Sequence, residues 1–167
     1  FARDAEGKET HIDRGFNIRM SDLNHEPYQA PVEDMLVALF DNEDFEDQPV
    51  AIMDTGSGGG GALLHAFQVV KTKTKRGQSL DQYPLTLVGV DLNPEALQGK
   101  GSTTETLERA GIPQRQPGTP IMPGAQFAVL QGDIGTPRDI AERLQATLGI
   151  AMDRAIHMNR FLLHNAP

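Results

Sequence analysis

The sequence predicts an α/β domain built on a mostly parallel sheet. From residue 49 onward, short apolar runs alternate with stretches of helical periodicity, a pattern typical of βαβ units. Glycines follow the first apolar run, where a strand would turn into a helix, and a carboxylate, Asp91, ends the second run. Both features are typical of the carboxyl edge of a doubly wound sheet, where such domains bind ligands.

Composition narrows the class of protein. The 167 residues carry 15 Lys and Arg against 23 Asp and Glu, a net charge of −8 that argues against binding nucleic acid through bulk charge. A hydrophobic fraction of 38% together with 17 glycines suits the core of one domain. The chain has no cysteine, its first residues are too polar for a signal peptide, and no apolar run approaches the roughly 18 residues of a membrane span. We therefore expect a cytoplasmic protein without nucleic-acid or membrane partners.

Residues 1–48 are predicted to form a helical lead-in that ends in an acidic linker, and residues 49–167 the ligand-binding domain. Apolar side chains recur at helical spacing before residue 41, and we expect them to form one helix face that packs on the domain. They are Val32, Met35, Leu36, Leu39 and Phe40. Residues 41–47 are mostly acidic and are interpreted as a solvated linker rather than a metal or partner site.

Four strands and three connecting helices are predicted in the domain. The strands are placed at residues 50–53, 85–90, 126–130 and within 153–158, and the helices at 61–70, 94–110 and 137–148. Pro94 and Pro137 suit first helical turns, where a missing backbone N–H costs nothing. Residues 71–84 and 111–124 are predicted loops, the second because it is rich in proline.

The glycines after the first strand are the strongest functional signal. Residues 54–61 read Asp-Thr-Gly-Ser-Gly-Gly-Gly-Gly, and glycine lets the backbone bend sharply and approach a ligand without interference from Cβ atoms. A flexible linker is the alternative, but an apolar helical stretch follows at once. Gly56, Gly58 and Gly61 also satisfy the G-x-G-x-x-G pattern of dinucleotide sites, so a dinucleotide-binding oxidoreductase stays open at this point.

An acid two residues before the first glycine distinguishes the two ligand classes. The stretch Asp54-x-Gly56-x-Gly58-x-Gly60 resembles the first motif of class I S-adenosylmethionine-dependent methyltransferases, whose fold is Rossmann-like. The resemblance implies that Asp54, Gly56, Ser57, Gly58 and Gly60 bind S-adenosylmethionine, with the carboxylate orienting the turn and the methionine end of the cofactor. A dinucleotide pyrophosphate gains nothing from an anion at that position.

Acids after the second and third strands extend the resemblance. Asp91 could accept hydrogen bonds from both ribose hydroxyls of an adenosine, although capping of the next helix is an alternative role. The Gly-Asp-Ile run after the third strand resembles the motif in which an acid meets the adenine amino group and the next residue packs on the ring. The resemblance therefore assigns Asp91, Leu92, Asp133 and Ile134 to cofactor binding.

The end of the fourth strand is where methyltransferases place residues on the substrate side. By this resemblance His157 is the candidate base for an acceptor that must lose a proton, and Asn159 is assigned to the cofactor. The five histidines show no metal-ligand spacing, so metal binding is left unassigned. The basic segment 71–76 could recruit an acidic carrier protein bearing phosphopantetheine, with a solvated loop as the favoured alternative.

Several stretches look more specifically like the methyltransferase domains of bacterial polyketide assembly lines, particularly the apratoxin type. They lie at residues 73–80, 83–85, 88–93 and 157–167. This resemblance implies secondary metabolism and a small-molecule or carrier-bound acceptor. Class I methyltransferases usually add three more strands, so we expect an incomplete sheet after the fourth strand and an edge that favours a homodimer. Leu163 and Asn165 stand where relatives carry acids, which keeps open an inactive structural or carrier-docking domain.

Overall fold

The computed structural model describes residues 26–159 of the chain. Its elements, in chain order, are α1 (Glu26–Phe40), β1 (Ala51–Thr55), α2 (Gly61–Lys73), α3 (Lys75–Gln78), β2 (Leu85–Asp91), α4 (Pro94–Leu97), α5 (Thr103–Arg109), β3 (Ala125–Gln131), α6 (Pro137–Leu148), a 3-10 turn (Met152–Arg154) and β4 (Ala155–Met158). The four predicted strands are confirmed, and so is the predicted helix that corresponds to α6.

The four strands form one parallel sheet in the order β3-β2-β1-β4. Two successive crossovers add β2 and then β3 on one side of β1, and the third returns to add β4 on the other side. The order of addition therefore reverses between β1 and β4. In doubly wound sheets, ligands bind at this reversal, beside the carboxyl ends of the strands. The topology confirms the predicted Rossmann-like α/β fold.

Helices cover both faces of the sheet, which explains the continuous apolar runs in the sequence. Every residue of β1 is buried, as is typical of parallel strands that are covered on both sides. On one face, Leu36 of α1 and Leu63 of α2 belong to the same hydrophobic cluster as Ile52 of β1. On the other face, Leu144 of α6 clusters with Met53. Because helices cover both faces over the described residues, a ligand reaches the sheet at the ends of its strands.

Helix α1 packs on the domain, as predicted, but through a narrower face. Leu36 and Phe40 are fully buried, and Val32 packs against the same cluster. Met35 and Leu39 are 46% and 38% exposed, so their predicted place on the packed face is wrong. Residues four apart form a single stripe along a helix, whereas Met35 and Leu39 each lie about 100° around the axis from the buried residue that follows it.

The loop predicted over residues 71–84 is partly helical. Helix α2 continues to Lys73, and the Thr74 hydroxyl then donates to Val70 O at 2.7 Å and accepts from Gly77 N at 3.2 Å. One threonine therefore bonds to the last turn of α2 and also caps α3. The polar composition of the segment favoured a loop, but this cap allows a second helix to begin directly after the first.

The single helix predicted over residues 94–110 is wrong in its middle. Gly99 and Gly101 have φ angles of 114° and 75°, which a right-handed helix cannot contain. Ser102 then caps a new helix, because its Oγ accepts a backbone N–H of the first turn at 3.2 Å. As a result α5 starts at Thr103, beside the glycines that follow β1.

Arg76 holds the acidic segment, residues 41–47, against the amino edge of the sheet. Its side chain is 2% exposed, and this burial lowers the pKa of the guanidinium. At distances between 2.8 and 3.1 Å the guanidinium donates to four acceptors, namely the carbonyl oxygens of Phe45, Tyr83 and Pro84 and Oε1 of Gln48. The acidic side chains themselves are exposed, in agreement with a solvated segment.

Candidate cofactor site

The glycine turn, residues 56–60, lies at the carboxyl edge of the sheet between β1 and α2. Gly56, Gly58 and Gly60 have φ angles of 84°, 51° and 75°, in the left-handed region that favours glycine. The backbone N–H groups of Gly56 and Ser57 both donate to Val90 O, at 2.7 and 3.0 Å. These bonds fix the turn to the end of β2 and explain why the sequence needs glycine here.

Asp54 lies in β1 just before the glycine turn. Its side chain is 3% exposed. In the sheet register it stands between Gly89 of β2 and Met158 of β4, at the reversal of strand order. Thr55, the next residue, donates its hydroxyl to Met158 O at 3.3 Å and ties this end of β1 to β4. The structure therefore places the predicted acid at the base of the turn, shielded from solvent.

Asp91 joins the glycine turn to the end of β2. Its Oδ2 accepts the Gly58 N–H at 3.1 Å, and its Oδ1 accepts the Asn93 N–H at 2.9 Å. The N-cap of α4 is Asn93, whose Oδ1 accepts from Glu95 N at 3.0 Å. The alternative role of Asp91 as the helix cap is therefore wrong, and its half-buried carboxylate faces the turn.

The end of β3 lies beside the end of β2. The backbone N–H after β3, on Gly132, donates to Asp91 O at 3.0 Å. Asp133 is exposed, and its Oδ1 accepts a backbone N–H two residues further on at 2.8 Å. Leu92 is 63% exposed and Ile134 is half-buried. The structure thus brings the predicted residues of all three motifs to one edge of the sheet.

Thr103 is a residue of this edge that the sequence prediction missed. Its Oγ1 donates to Gly58 O at 3.0 Å and lies 3.0 Å from Ser57 Oγ. The sequence analysis placed Thr103 inside one continuous helix, whereas in the structure a new helix begins at Thr103, beside the glycine turn. The Ser-x-x-Glu run at residues 102–105, typical of a capped helix start, is the signal that could have revealed it.

His157 and Asn159 lie on and after β4. His157 is the cross-strand neighbour of Met53, on the face covered by α6, whereas Asp54 pairs with Met158 on the opposite face. The exposed His157 ring has Nε2 3.1 Å from Met152 O, in the 3-10 turn before the strand. Asn159 follows the strand with an exposed side chain. The structure does not bring His157 onto the face of the sheet that carries Asp54, and its role as base stays a prediction.

Some predicted features fall outside the described residues or have no counterpart within them. Leu163 and Asn165 lie beyond residue 159, as does His164, so the departures from the family pattern are not placed. Within residues 26–159, no group of three His, Asp or Glu side chains is arranged to hold a metal ion. Over the same residues, no helix has the length and apolar character that crossing a membrane requires.

The basic segment 71–76 is largely engaged in contacts within the chain. Lys73 pairs with Glu33, an interaction that lowers the pKa of that carboxyl. Lys75 pairs with Glu43 at 3.0 Å, which raises the pKa of the lysine. The guanidinium of Arg76, in the same segment, is buried as well. Less positive charge is therefore available to an acidic carrier protein than the sequence suggested.

The chemistry of the carboxyl edge favours one class of ligand. Three carboxylates, those of Asp54, Asp91 and Asp133, stand on neighbouring strand ends, with the exposed apolar side chain of Leu92 among them. Carboxylates bind hydroxyl and ammonium donors and attract positive charge, whereas they repel a pyrophosphate. The edge therefore suits an uncharged or cationic adenosine derivative better than a dinucleotide.

The comparison with protein families agrees with this chemistry. A family model described as an AprA MT2-like domain matches residues 9–167, which include the whole sheet and the glycine turn. No curated protein matches the chain. The match confirms the predicted resemblance to methyltransferases of the apratoxin type and gives no support to an oxidoreductase. The chain belongs to the AprA MT2-like family of methyltransferase domains.

Proposed function

We propose that this domain binds S-adenosylmethionine at the glycine turn and transfers its methyl group to a small-molecule or carrier-bound acceptor in secondary metabolism. The supporting observation is the hydrogen bond from Gly58 N–H to Asp91 Oδ2, 3.1 Å long, between residues 33 positions apart. It joins the glycine turn to the acid after β2, the two features that one adenosine-bearing ligand would contact together.

The residues present fit this cofactor. Each oxygen of the Asp91 carboxylate accepts one backbone N–H, and a carboxylate oxygen has capacity for a second donor, such as a ribose hydroxyl. Leu92, 63% exposed, and the half-buried Ile134 offer apolar surface that an adenine ring would cover. The acidic edge complements the positive charge of the methionine end.

The work of the chain in methyl transfer is mainly alignment. S-adenosylmethionine, when bound, supplies an electrophilic methyl group on a sulfonium. The glycine turn is held by Val90 O and Asp91, so little reorganisation is needed when ligand binds. Fixing reactants in line can lower a barrier by roughly 7 to 11 kcal/mol without any acid or base.

A base is required only when the acceptor must lose a proton, and His157 is proposed for that role. Met152 O can only accept, so Nε2 is the donor in this contact and Nδ1 is the ring nitrogen proposed to take the proton. We expect His157→Gln to lower the transfer rate by about 100-fold or more and to leave cofactor affinity unchanged. A wild-type rate in a folded variant would exclude the role.

Isothermal titration tests the proposed function. We expect S-adenosylmethionine and S-adenosylhomocysteine to bind the folded chain and a nicotinamide dinucleotide not to bind. Binding without transfer to any carrier-bound or small acceptor would favour the inactive docking domain. No binding of either compound to a folded chain would contradict the proposal.

A further inference from the structure

Thr103, the first residue of α5, is in contact with the glycine turn through its hydroxyl. It is fully buried, and its Oγ1 donates to Gly58 O at 3.0 Å. Because a hydroxyl has only one hydrogen, Thr103 Oγ1 must accept from Ser57 Oγ, 3.0 Å away. The hydrogen bonds therefore run in one direction, from Ser57 to Thr103 to Gly58.

The backbone and side chain of Thr103 together fill a space left by two glycines. A Cβ on Gly60 would lie 2.9 Å from Thr103 Cα, and a Cβ on Gly89 would lie 2.7 Å from Thr103 Cγ2. Real Cβ contacts are not this short, so the missing side chains are what allow α5 to approach the turn. Gly89 in β2 lies outside the glycine turn, and its contact with Thr103 explains why a glycine is needed at this position.

Both polar groups of Gly58 are thus held by side chains from elsewhere. Its N–H donates to Asp91 after β2, and its carbonyl accepts from Thr103 at the start of α5. Glycine has many accessible backbone conformations. The two hydrogen bonds to Gly58 select the one observed, in which φ is 51°. We propose that Thr103 is a positioning residue that holds the glycine turn in the conformation that binds the cofactor, an inference that rests on the proposed function.

The hydroxyl is tested with matched threonine variants. Thr103→Val keeps the shape and removes both hydrogen bonds, and we expect affinity for S-adenosylmethionine to fall about 10-fold. Thr103→Ser keeps the hydroxyl and should retain binding. Thr104→Val is the control, because Thr104 Oγ1 is buried without a hydrogen-bond partner in the described part of the chain. Equal affinity of the Thr103→Val and Thr104→Val variants would overturn the proposal.

The steric contact gives a second, independent test. Gly89→Ala should weaken binding because the new methyl group would lie 2.7 Å from Thr103 Cγ2, its shortest contact, and 3.1 Å from Ser57 Oγ. Adding Thr103→Ser removes that carbon, so the double variant should bind at least about threefold more tightly than Gly89→Ala alone. No gain would overturn the proposal, and this comparison decides the matter if Thr103→Val does not fold.

A readout without cofactor separates this inference from the proposed function. In the ligand-free chain, amide hydrogen exchange over residues 56–60 should be about 10-fold faster in Thr103→Val than in Thr104→Val, measured in conditions where both variants are folded. Unchanged exchange would overturn the positioning role. If the two variants differ in exchange as expected but the wild-type chain binds no S-adenosylmethionine, the proposed function fails and the positioning of the turn stands.

Discussion

The two edges of the sheet each carry a polar network, and the networks differ in what they leave available. At the amino edge, Arg76 is 2% exposed, and its N–H groups donate to four acceptors within the chain. At the carboxyl edge, Asp91 is half-buried and accepts only two N–H groups. The first network is closed and serves structure, whereas the second keeps acceptor capacity facing solvent.

The difference shows why charge in a sequence is a poor guide to function. The basic segment 71–76 offered a docking patch as one alternative, yet Lys73 and Lys75 pair with acids and Arg76 is buried. Single acids at strand ends add little to the net charge, yet Asp91 lies where three motifs meet, as its position at the end of β2 predicted. The ligand site is indicated by a side chain that can still accept hydrogen bonds where the order of the strands reverses, and not by the number of charges.

The largest expected effect is on the closed network. Arg76→Met leaves four acceptors without their donor, and we expect the free energy of unfolding to fall by about 3 to 5 kcal/mol. Urea denaturation measures this, with Arg109→Met, an exposed arginine of α5, as the control. In conditions where the variant is folded, its cofactor affinity should match the wild type. A loss below about 1 kcal/mol would contradict the structural role.

At the open network, Gly58→Val should weaken cofactor binding by about 100-fold or more, because a branched side chain would occupy the approach of the ligand. Gly118→Val is the matched control: its φ is 72°, similarly left-handed, and a Cβ there has nothing within 4 Å. Both variants carry backbone strain, so their melting temperatures should fall alike. Equal cofactor affinities would show that the glycine serves only the fold.

A smaller effect is expected at the acid that joins the motifs. Asp91→Ala removes the acceptor of the ribose hydroxyls, and affinity for S-adenosylmethionine should fall by about 1.5 to 3 kcal/mol. Asp44→Ala, at an exposed acid of the amino edge, should bind like the wild type. Titration calorimetry distinguishes the two, and unchanged affinity in a folded Asp91→Ala variant would reject the ribose role.

The smallest effect concerns acid pH at the surface of α1 and α2. The hydrogen bond from Lys73 lowers the pKa of Glu33 below its ordinary value of 4.5. A carboxyl with a lowered folded-state pKa stabilises the fold above its unfolded pKa, and this contribution is lost as pH falls through the folded value. The melting temperatures of wild type and Glu33→Gln should therefore differ slightly at neutral pH and converge below pH 4.5. A constant difference would contradict this linkage.

The strands were predictable because continuous apolar runs leave little choice in a sheet covered on both faces. The ligand edge was predictable where a motif lies at a strand end, as with Gly58 and Asp91. The Ser-x-x-Glu run marked a helix start at Thr103, but the contact of Thr103 with Ser57 was not predictable, because it spans 46 positions and depends on how α5 packs. The face of β4 that His157 occupies depends on register, which local sequence does not specify.

Hydrogen exchange with and without S-adenosylmethionine compares the two networks in one measurement. Ligand binding at the carboxyl edge should slow exchange in residues 54–61 and 89–93 and leave residues 74–84, which surround Arg76, unchanged. Protection confined to residues 74–84, or no protection anywhere in a folded chain at saturating ligand, would contradict a cofactor site built by the glycine turn and Asp91.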